Sequence, residues 1–312
     1  MDSTVRTSKP IIFRSFNVGK VEKQYEDMTG RTTKSENYSN LEDMTGRTTK
    51  PENYSNLIEF LQEIPFGKLT TYTRSDRKFK KSYTLTTDGR TFVLWGNRKV
   101  CGVGNYNVKM SSPTKGAQRS PKIGDTGCMI TWSDRFEFIA VIEPTYMKTG
   151  KVHGGSEIGE RTTWWVILMD VESKEFICVI SVHCPVNDNK RQILINSLFA
   201  EARDLEKTYG RVVIGGDFNA KPDEMKSYQK QMGCLRLVGD MNKVTHINPD
   251  DKNFVTRLDY ILLSTKMQFD EEKIGGIIQD GSNSRMQPGL AGNEMGDEHD
   301  HGIVSVKATI LN

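Results

Sequence analysis

Short apolar runs that end in polar residues recur along this chain. We predict strands at residues 11–18, 57–63, 127–132, 135–142, 161–169, 176–185, 212–214, 256–263 and 303–306. Residues 190–209 instead place apolar side chains at helical spacing, namely at Ile193, Leu194, Ser197, Leu198, Ala202 and Leu205, and Gly210 ends this predicted helix. Strand-rich segments with intervening helices predict two sheets packed as a sandwich, with helices on both outer faces.

The most informative strand end is the segment GGDFNAKP, from Gly215 to Pro222. Alternate residues at a strand end point the same way, so Asp217 and Asn219 are predicted to lie side by side. Carboxylate and amide oxygens suit a hard divalent cation, and a carboxamide can also donate to a phosphate. An ordinary turn is the alternative, since Gly, Asp and Asn are common turn formers.

Two further strands carry polar residues that need an explanation. Asp259 shares one face of its strand with Ile261 and Leu263, and a buried carboxylate requires a partner. We expect that partner to be His301, which precedes the last strand; a carboxylate would fix the imidazole tautomer and leave the other nitrogen for acid or base work. His183, at the exit of another strand, is either a structural residue or part of the same site.

The order of four motifs carries a family resemblance. His-x-Pro at 183–185, GDFN at 216–219, LDYIL at 258–262 and Asp-His at 300–301 resemble the endonuclease/exonuclease/phosphatase (DNase I-like) superfamily. Asn17 and the LQE segment ending at Glu63 match two earlier, shorter motifs of the family. The resemblance implies an α/β (α+β) fold, a four-layer α/β/β/α sandwich of two mixed, mainly antiparallel sheets. It also implies that residues 127–142 form a hairpin, whereas Gly102-Val-Gly104 indicates only a turn.

The resemblance also implies roles for the site residues. Glu63 would hold Mg²⁺ or Mn²⁺ together with Asp300, and Asn17 would lie near the metal or the phosphate. Asp217 and Asn219 would position the attacking water and the phosphoryl oxygen, and His301, oriented by Asp259, would act as base or charge stabiliser. His183 would be the opposite acid or a phosphate contact. In the middle of the chain Arg161 is a candidate substrate contact, and Tyr146, Glu157 and Glu160 compete with it.

Composition predicts one soluble globular domain over residues 10–312 after a flexible tail at 1–9. The chain has 312 residues, of which 36% are hydrophobic and 27% charged. Residues 1–10 lack the apolar core of a secretory signal, and no apolar run approaches the length of a membrane span. Five cysteines without a Cys-x-x-Cys pair favour a reducing intracellular compartment, cytoplasm or nucleus, and disfavour a zinc–thiolate site. Nothing indicates an obligate protein partner.

A tandem duplication lies between the first two predicted strands. Residues 26–40 and 42–56 differ at one position, and deleting one copy restores the spacing usual in the family. We interpret residues 26–56 as an insert in a surface loop, where added length costs little. A substrate-gripping arm is the alternative.

The net charge of +3 is unevenly distributed, because residues 66–125 are rich in Lys and Arg. Their densest part interleaves Arg77, Lys78, Lys80 and Lys81 with aromatic residues between Tyr72 and Tyr83. Basic side chains bind phosphates and aromatic rings stack on bases, which favours a nucleic acid substrate. We therefore predict a divalent-metal-dependent phosphodiesterase, a nuclease acting on DNA or RNA. The alternatives are a lipid or small-molecule phosphoesterase, or a catalytically idle binding protein of the same fold; for the basic segment, the alternative is solvated surface.

Overall fold

A computed structural model describes residues 9–17, 56–65, 83–87, 90–96, 100–107, 126–133, 135–145, 162–247, 255–275, 277–280, 283–286 and 301–311. Within these residues the strands are β1 Ile11–Asn17, β2 Leu57–Pro65, β3 Tyr83–Thr87, β4 Arg90–Gly96, β5 Val100–Asn107, β6 Thr126–Ser133, β7 Phe136–Ile142, β8 Trp165–Asp170, β9 Phe176–His183, β10 Val212–Asp217, β11 Leu235–Leu237, β12 His246–Ile247, β13 Val255–Thr256, β14 Asp259–Ser264, β15 Met267–Gly275, β16 Ile277–Asp280, β17 Asn283–Met286 and β18 Ile303–Ile310. The helices are α1 Asp188–Tyr209 and α2 Pro222–Ser227, and a 3-10 turn covers Gln229–Gln231.

Two large sheets form the architecture. One has eight strands in the order β15-β18-β1-β2-β6-β5-β4-β3, and the other has six in the order β11-β14-β10-β9-β8-β7. Each sheet contains one parallel pair, β1 with β2 and β9 with β10, and the other pairings are antiparallel. The β12–β13 and β16–β17 pairs are separate two-stranded ribbons. The predicted sandwich of two mixed, mainly antiparallel sheets is therefore confirmed.

Helix α1 joins the two parallel strands of the six-stranded sheet and packs against both of them. The side chain of Asn187 caps its start by accepting a hydrogen bond from the Lys190 amide at 3.1 Å, and Gly210 ends it as predicted. Most of the predicted apolar stripe is buried, but Ile193 is 45% exposed and was wrongly assigned to it. The buried face includes Arg191 instead, whose role is given below. The predicted helical layer over the eight-stranded sheet lies outside the described residues.

The two sheets approach closely beneath the edge at which β9 and β10 end. A Cβ atom at Gly215 in β10 would lie 2.2 Å from the ring of Phe60 in β2, so this contact requires glycine. A buried polar bridge lies beside it: Gln62 Nε2 donates to Ser181 Oγ at 3.0 Å, and Ser181 Oγ donates to the Leu61 carbonyl at 3.2 Å. These contacts fix one sheet against the other directly below the candidate site.

Two predictions for the middle of the chain are wrong. Residues 127–142 do not form a hairpin, because β6 pairs with β2 and β5 in one sheet whereas β7 pairs with β8 in the other. The chain changes sheets at Arg135, which is buried and binds Asp170 and the backbone carbonyls of Lys9 and Pro10. Gly102-Val-Gly104 is not a turn either; it lies within β5, which pairs on both sides.

Strands β3 to β5 were not predicted at all, and they extend the eight-stranded sheet to its edge. Tyr83, taken as the end of the basic segment, begins β3. The duplication at 26–56 lies outside the described residues except for Asn56, so its placement stays a prediction. No helix within the described residues is long and apolar enough to cross a membrane.

Candidate active site

Strand pairing in the six-stranded sheet gathers three of the predicted site residues at one edge. Because β9 and β10 are parallel, their carboxyl ends coincide, and His183 is the register partner of Asp217. The neighbouring β14 is antiparallel, so it begins where β10 ends, and Asp259 is paired with Asp217. His183, Asp217 and Asp259 therefore lie side by side on adjacent strands.

The eight-stranded sheet brings the other residues to the same edge by the same arrangement. Strand β1 ends at Asn17, which is paired with Gln62 of the parallel strand β2, and Glu63 is the next residue of β2. Glu63 has a positive φ of 55°, which is uncommon for a residue other than glycine, and the strand is irregular there. Antiparallel β18 starts beside the end of β1, and His301 lies two residues before it.

The predicted contact between Asp259 and His301 is present. Asp259 Oδ2 lies 2.8 Å from His301 Nδ1, and both residues are buried. An ionised carboxylate can only accept, so the proton of this hydrogen bond belongs to Nδ1. The other nitrogen, Nε2, is then the basic one, and it lies 3.8 Å from Asp217 Oδ2. The pair thus directs an imidazole nitrogen toward a second carboxylate.

Asp217 lies at the centre of the cluster. Its Oδ2 accepts a hydrogen bond from Asn17 Nδ2 at 3.2 Å, and its Oδ1 accepts one from the Asn219 amide at 2.8 Å. Burial raises the pKa of Asp217; His301 and His183 act to lower this pKa and the nearby Asp259 carboxylate adds to the rise. This carboxyl is therefore a better proton acceptor than an exposed aspartate.

His183 faces the cluster from the opposite side. Its Nε2 is 3.6 Å from Asp217 Oδ2 and 3.6 Å from Glu63 Oε1. The imidazole therefore lies between a carboxylate of each sheet. His183 was predicted to be either a structural residue or part of the site, and its position supports the second interpretation.

Asn219 is held in the left-handed region, with φ 50°, two residues beyond the end of β10. Its Nδ2 donates to the Cys184 carbonyl at 2.8 Å and lies 3.5 Å from Asp217 Oδ2. The predicted neighbourhood of Asp217 and Asn219 is thus present. The carboxamide also ties the loop after β10 to the loop after His183.

The donor set of the site fits a hard divalent cation. Asp217, Asp259 and His301 each place one ligand atom within 4.8 Å of the others, and Glu63 adds a partly exposed carboxylate. Within the described part of the chain, no ion pair joins these three carboxylates to Lys or Arg. The three carboxylates outnumber the two histidines of the site, and an excess of carboxylate oxygens favours a bound cation.

The sequence analysis did not identify Arg191, which contacts the loop after His183 and the helix after Asn219. It is 4% exposed, and its guanidinium donates to the carbonyls of Pro185 and Val186, just after His183. It also forms a two-point pair with Glu224 of α2, the helix that follows Asn219, at 2.9 and 2.8 Å. One arginine in the first turn of a helix gives no signal of burial in the sequence.

Several predicted site residues fall outside the described residues, and their roles stay predictions. They are the metal candidate Asp300 and the substrate-contact candidates Arg77, Lys78, Lys80, Lys81 and Arg161, along with Tyr146, Glu157 and Glu160.

Structural comparison finds the same fold in several solved proteins. A humanized TDP2 of D. rerio has a TM-score of 0.52 at 13% identity, covering 96% of this chain and 99% of that one. An endonuclease/exonuclease/phosphatase from Bacteroides vulgatus has a TM-score of 0.56 at 10% identity, covering 97% and 100%. A mannosyl-6-phosphatase from Bacteroides thetaiotaomicron has a TM-score of 0.52 at 13% identity, covering 96% and 99%. No curated protein matches the chain.

The solved structures establish only the fold, because their sequence identities to this chain are low. A match to a protein-family model establishes the family. The model of the Endonuclease/Exonuclease/phosphatase family matches residues 60–273, more than half of the chain, and members of this family hydrolyse phosphoester bonds. This segment contains Glu63, His183, Asp217 and Asp259. The chain belongs to the endonuclease/exonuclease/phosphatase family.

Proposed function

We propose that this protein is a Mg²⁺- or Mn²⁺-dependent phosphodiesterase, and that its substrate is a nucleic acid. The observation that carries the proposal is the Asp259–His301 pair at 2.8 Å, in which the imidazole Nε2 of His301 lies 3.8 Å from Asp217 Oδ2. His301 Nε2 and Asp217 Oδ2 both accept hydrogen bonds and are 3.8 Å apart. One water molecule can therefore donate a hydrogen bond to each of them. Such a water is held where its proton can be removed.

Hydrolysis in this site proceeds by attack of that water on phosphorus. The water oxygen forms the new P–O bond, its proton passes to His301 Nε2 or Asp217, and the ester P–O bond breaks. Asp259 stabilises the imidazolium that forms, through the hydrogen bond to Nδ1. The raised pKa of Asp217 makes it a suitable alternative acceptor for the same proton.

His183 would assist departure of the leaving group. It approaches Asp217 and Glu63 at 3.6 Å from the side opposite His301. There it can contact a phosphoryl oxygen or donate a proton to the departing alkoxide. Asn219 and Asn17 orient Asp217 through their hydrogen bonds, which fixes the carboxylate between the two histidines.

Glu63, with Asn17 nearby and Asp300 as a further candidate, would hold the cation. When bound, it would neutralise the charge that develops on the phosphoryl and leaving oxygens. Among the described residues no lysine or arginine forms an ion pair with these carboxylates, so a bound cation would help them to admit an anionic substrate.

Two observations bear on the substrate class. The basic and aromatic segment between Tyr72 and Tyr83 suits a polyanion with bases, which favours a nucleic acid. The likeness to a mannosyl-6-phosphatase favours a second candidate, a small-molecule phosphomonoesterase. Fold likeness at these identities does not choose between them.

A turnover screen with Mg²⁺ tests the proposal. The substrates are single-stranded DNA, duplex DNA, RNA, bis(p-nitrophenyl) phosphate and mannose 6-phosphate, each assayed with the wild type and with His301→Gln. We expect cleavage of at least one polynucleotide and of the diester, and loss of both in the variant. Turnover of mannose 6-phosphate alone would support the second candidate, and wild-type rates in His301→Gln would refute the site.

A further inference from the structure

The Asp259–His301 pair joins two different sheets, so its geometry requires something that holds the sheets in register at this point. Asp259 begins β14 of the six-stranded sheet, and His301 precedes β18 of the eight-stranded sheet. A hydrogen bond of 2.8 Å between them tolerates little displacement. A residue bonded to both sides of the pair would meet this requirement.

Thr245 is bonded to both sides. Its hydroxyl oxygen accepts hydrogen bonds from the amides of Leu258, at 2.9 Å, and Asp259, at 3.0 Å. Its carbonyl accepts one from the amide of Gly302, the residue after His301, at 2.7 Å. Thr245 is fully buried, so water cannot replace these bonds.

The same segment contacts His301 a second time. His246 and His301 are partners in an isolated antiparallel bridge, and their ring centroids are 4.8 Å apart at an angle of 60°. Thr245 is itself anchored, because its amide donates to the Thr256 carbonyl at 3.0 Å beside β13. The backbone of His301 is thus held from the same short segment that holds Asp259.

The contacts continue toward the centre of the site. The Leu258 carbonyl accepts a hydrogen bond from the Phe218 amide at 2.9 Å, and Phe218 follows Asp217. A shift of residues 258–259 would therefore move Asp259 relative to both His301 and Asp217. The Thr245 hydroxyl thus fixes the backbone of residues 258–259 from outside their own sheet.

We propose that Thr245 is a positioning residue for the Asp259–His301 pair, with its hydroxyl oxygen setting Asp259 and its carbonyl setting His301. The inference rests on the proposed role of His301 as base. It assigns to Thr245 no contact with substrate. It predicts that loss of the hydroxyl acceptor lowers the rate of the chemical step and leaves substrate binding nearly unchanged.

Three variants separate this role from simple structural support. Thr245→Val keeps the shape and removes the acceptor, Thr245→Ser keeps the acceptor and removes a methyl group, and Ile167→Val alters a buried residue of β8 far from the pair. We expect Thr245→Val to lower kcat about tenfold or more with KM within about twofold. Thr245→Ser should stay within about threefold of wild type in kcat, and Ile167→Val should match wild type.

A spectroscopic readout makes the test independent of turnover. The chain has five histidines, so selective labelling with ¹⁵N-histidine gives few signals, and His301→Gln assigns the Nδ1 proton bonded to Asp259. That downfield signal should persist in Thr245→Ser and Ile167→Val and should shift upfield or broaden in Thr245→Val. If the wild type cleaves no phosphoester, the proposed function fails, but this signal still decides the role of Thr245.

The outcomes are distinct. An unchanged Nδ1 signal together with an unchanged kcat in Thr245→Val would overturn the proposal. Equal losses in Thr245→Val and Thr245→Ser would also overturn it, because the acceptor would then not be the deciding feature. If Thr245→Val does not fold, Thr245→Ala, which introduces no added bulk, is compared with Thr245→Ser by the same two readouts.

Discussion

Replacing Asp259 by Asn should separate catalysis from stability. Asp259 is fully buried, its Oδ2 binds His301 Nδ1 at 2.8 Å, and its Oδ1 has no hydrogen-bond partner within the described residues. The amide keeps the shape but loses the charge that stabilises the imidazolium, and an amide N–H facing Nδ1 would impose the wrong tautomer. We expect kcat to fall about 10²- to 10⁴-fold, the range for lost acid–base help.

The stability of Asp259→Asn should change little. Neutralising a buried carboxylate removes a desolvated charge, and one of its oxygens lacks a partner to lose. The stability gained by removing the buried charge and the stability lost from the weaker hydrogen bond to His301 oppose each other. We therefore expect the free energy of unfolding to change by no more than about 1 kcal/mol.

Asp170→Asn is the matched control, because the same chemical change should there give the opposite result. Asp170 ends β8 at the end of the sheet away from His183, and its carboxylate binds Arg135 Nε at 2.9 Å and Nη2 at 2.7 Å. Both side chains are buried, so loss of the charge leaves Arg135 with only the more exposed Glu172, at 3.9 Å, as a counter-charge, at a cost of about 3–5 kcal/mol. Tm should fall by about 6–10 °C, and kcat should hold at temperatures where the variant is folded.

The pH dependence of unfolding checks this control. Burial acts to raise the pKa of Asp170, but the hydrogen bond and charge of Arg135 outweigh it and lower this pKa below its usual value. A lowered folded-state pKa stabilises the protein above the unfolded value of about 3.9, and this contribution is lost as pH falls through the folded-state pKa. In Asp170→Asn that part of the acid destabilisation should be absent.

The assay is thermal unfolding and steady-state turnover of bis(p-nitrophenyl) phosphate for the wild type and both variants. Wild-type kcat in Asp259→Asn would refute the role given to the Asp259–His301 pair. A Tm loss in Asp259→Asn as large as in Asp170→Asn would show that Asp259 is chiefly a structural residue.

Three further predictions follow from the site and the sequence. EDTA should abolish activity and Mg²⁺ or Mn²⁺ should restore it, whereas full turnover after exhaustive chelation would contradict the proposed metal site. Deletion of residues 41–56 should leave Tm and turnover of a small diester nearly unchanged, because loop length has a weak entropic cost; loss of soluble protein would show that the duplication is structural. Replacement of Arg77, Lys78, Lys80 and Lys81 by Ser should weaken polynucleotide binding and flatten its log–log salt dependence by roughly one unit per lost phosphate contact. Small-diester turnover is the control, and equal losses on both substrates would assign the segment no binding role.

The strands that carry site residues could be predicted because each combines a strong apolar run with one polar residue that has no place in a core. Asp259 is the clearest case: a carboxylate among buried apolar residues requires a partner, and that requirement led to His301. Asn17 and Glu63 depended on the family resemblance, since their motifs are short. The structure adds that all of these residues lie at one edge of the sandwich.

What could not be predicted depends on contacts distant in sequence. The segment 127–142 has the local pattern of a hairpin, but its two strands pair in different sheets. Arg135, between the two strands, is buried and binds the distant Asp170. Nothing in the pattern of α1 reveals that Arg191 is buried, because it bonds to the loop before the helix and to Glu224 of α2, 33 residues further along the chain. Thr245 gives no signal either, since its function depends on two strands that meet only in the folded chain.

The parallel strand pairs explain why residues of the site could be predicted from the sequence. A strand, a helix and a second strand, here β9, α1 and β10, make a crossover unit, and such a unit sets its two strands parallel. The carboxyl ends of the two strands then coincide, which places His183 beside Asp217 although 33 residues separate them. In the other sheet β1 and β2 are also parallel, which places Asn17 and Glu63 near each other. Polar residues at the carboxyl ends of such pairs converge by topology, so each sheet contributes half of the site before any side-chain contact forms.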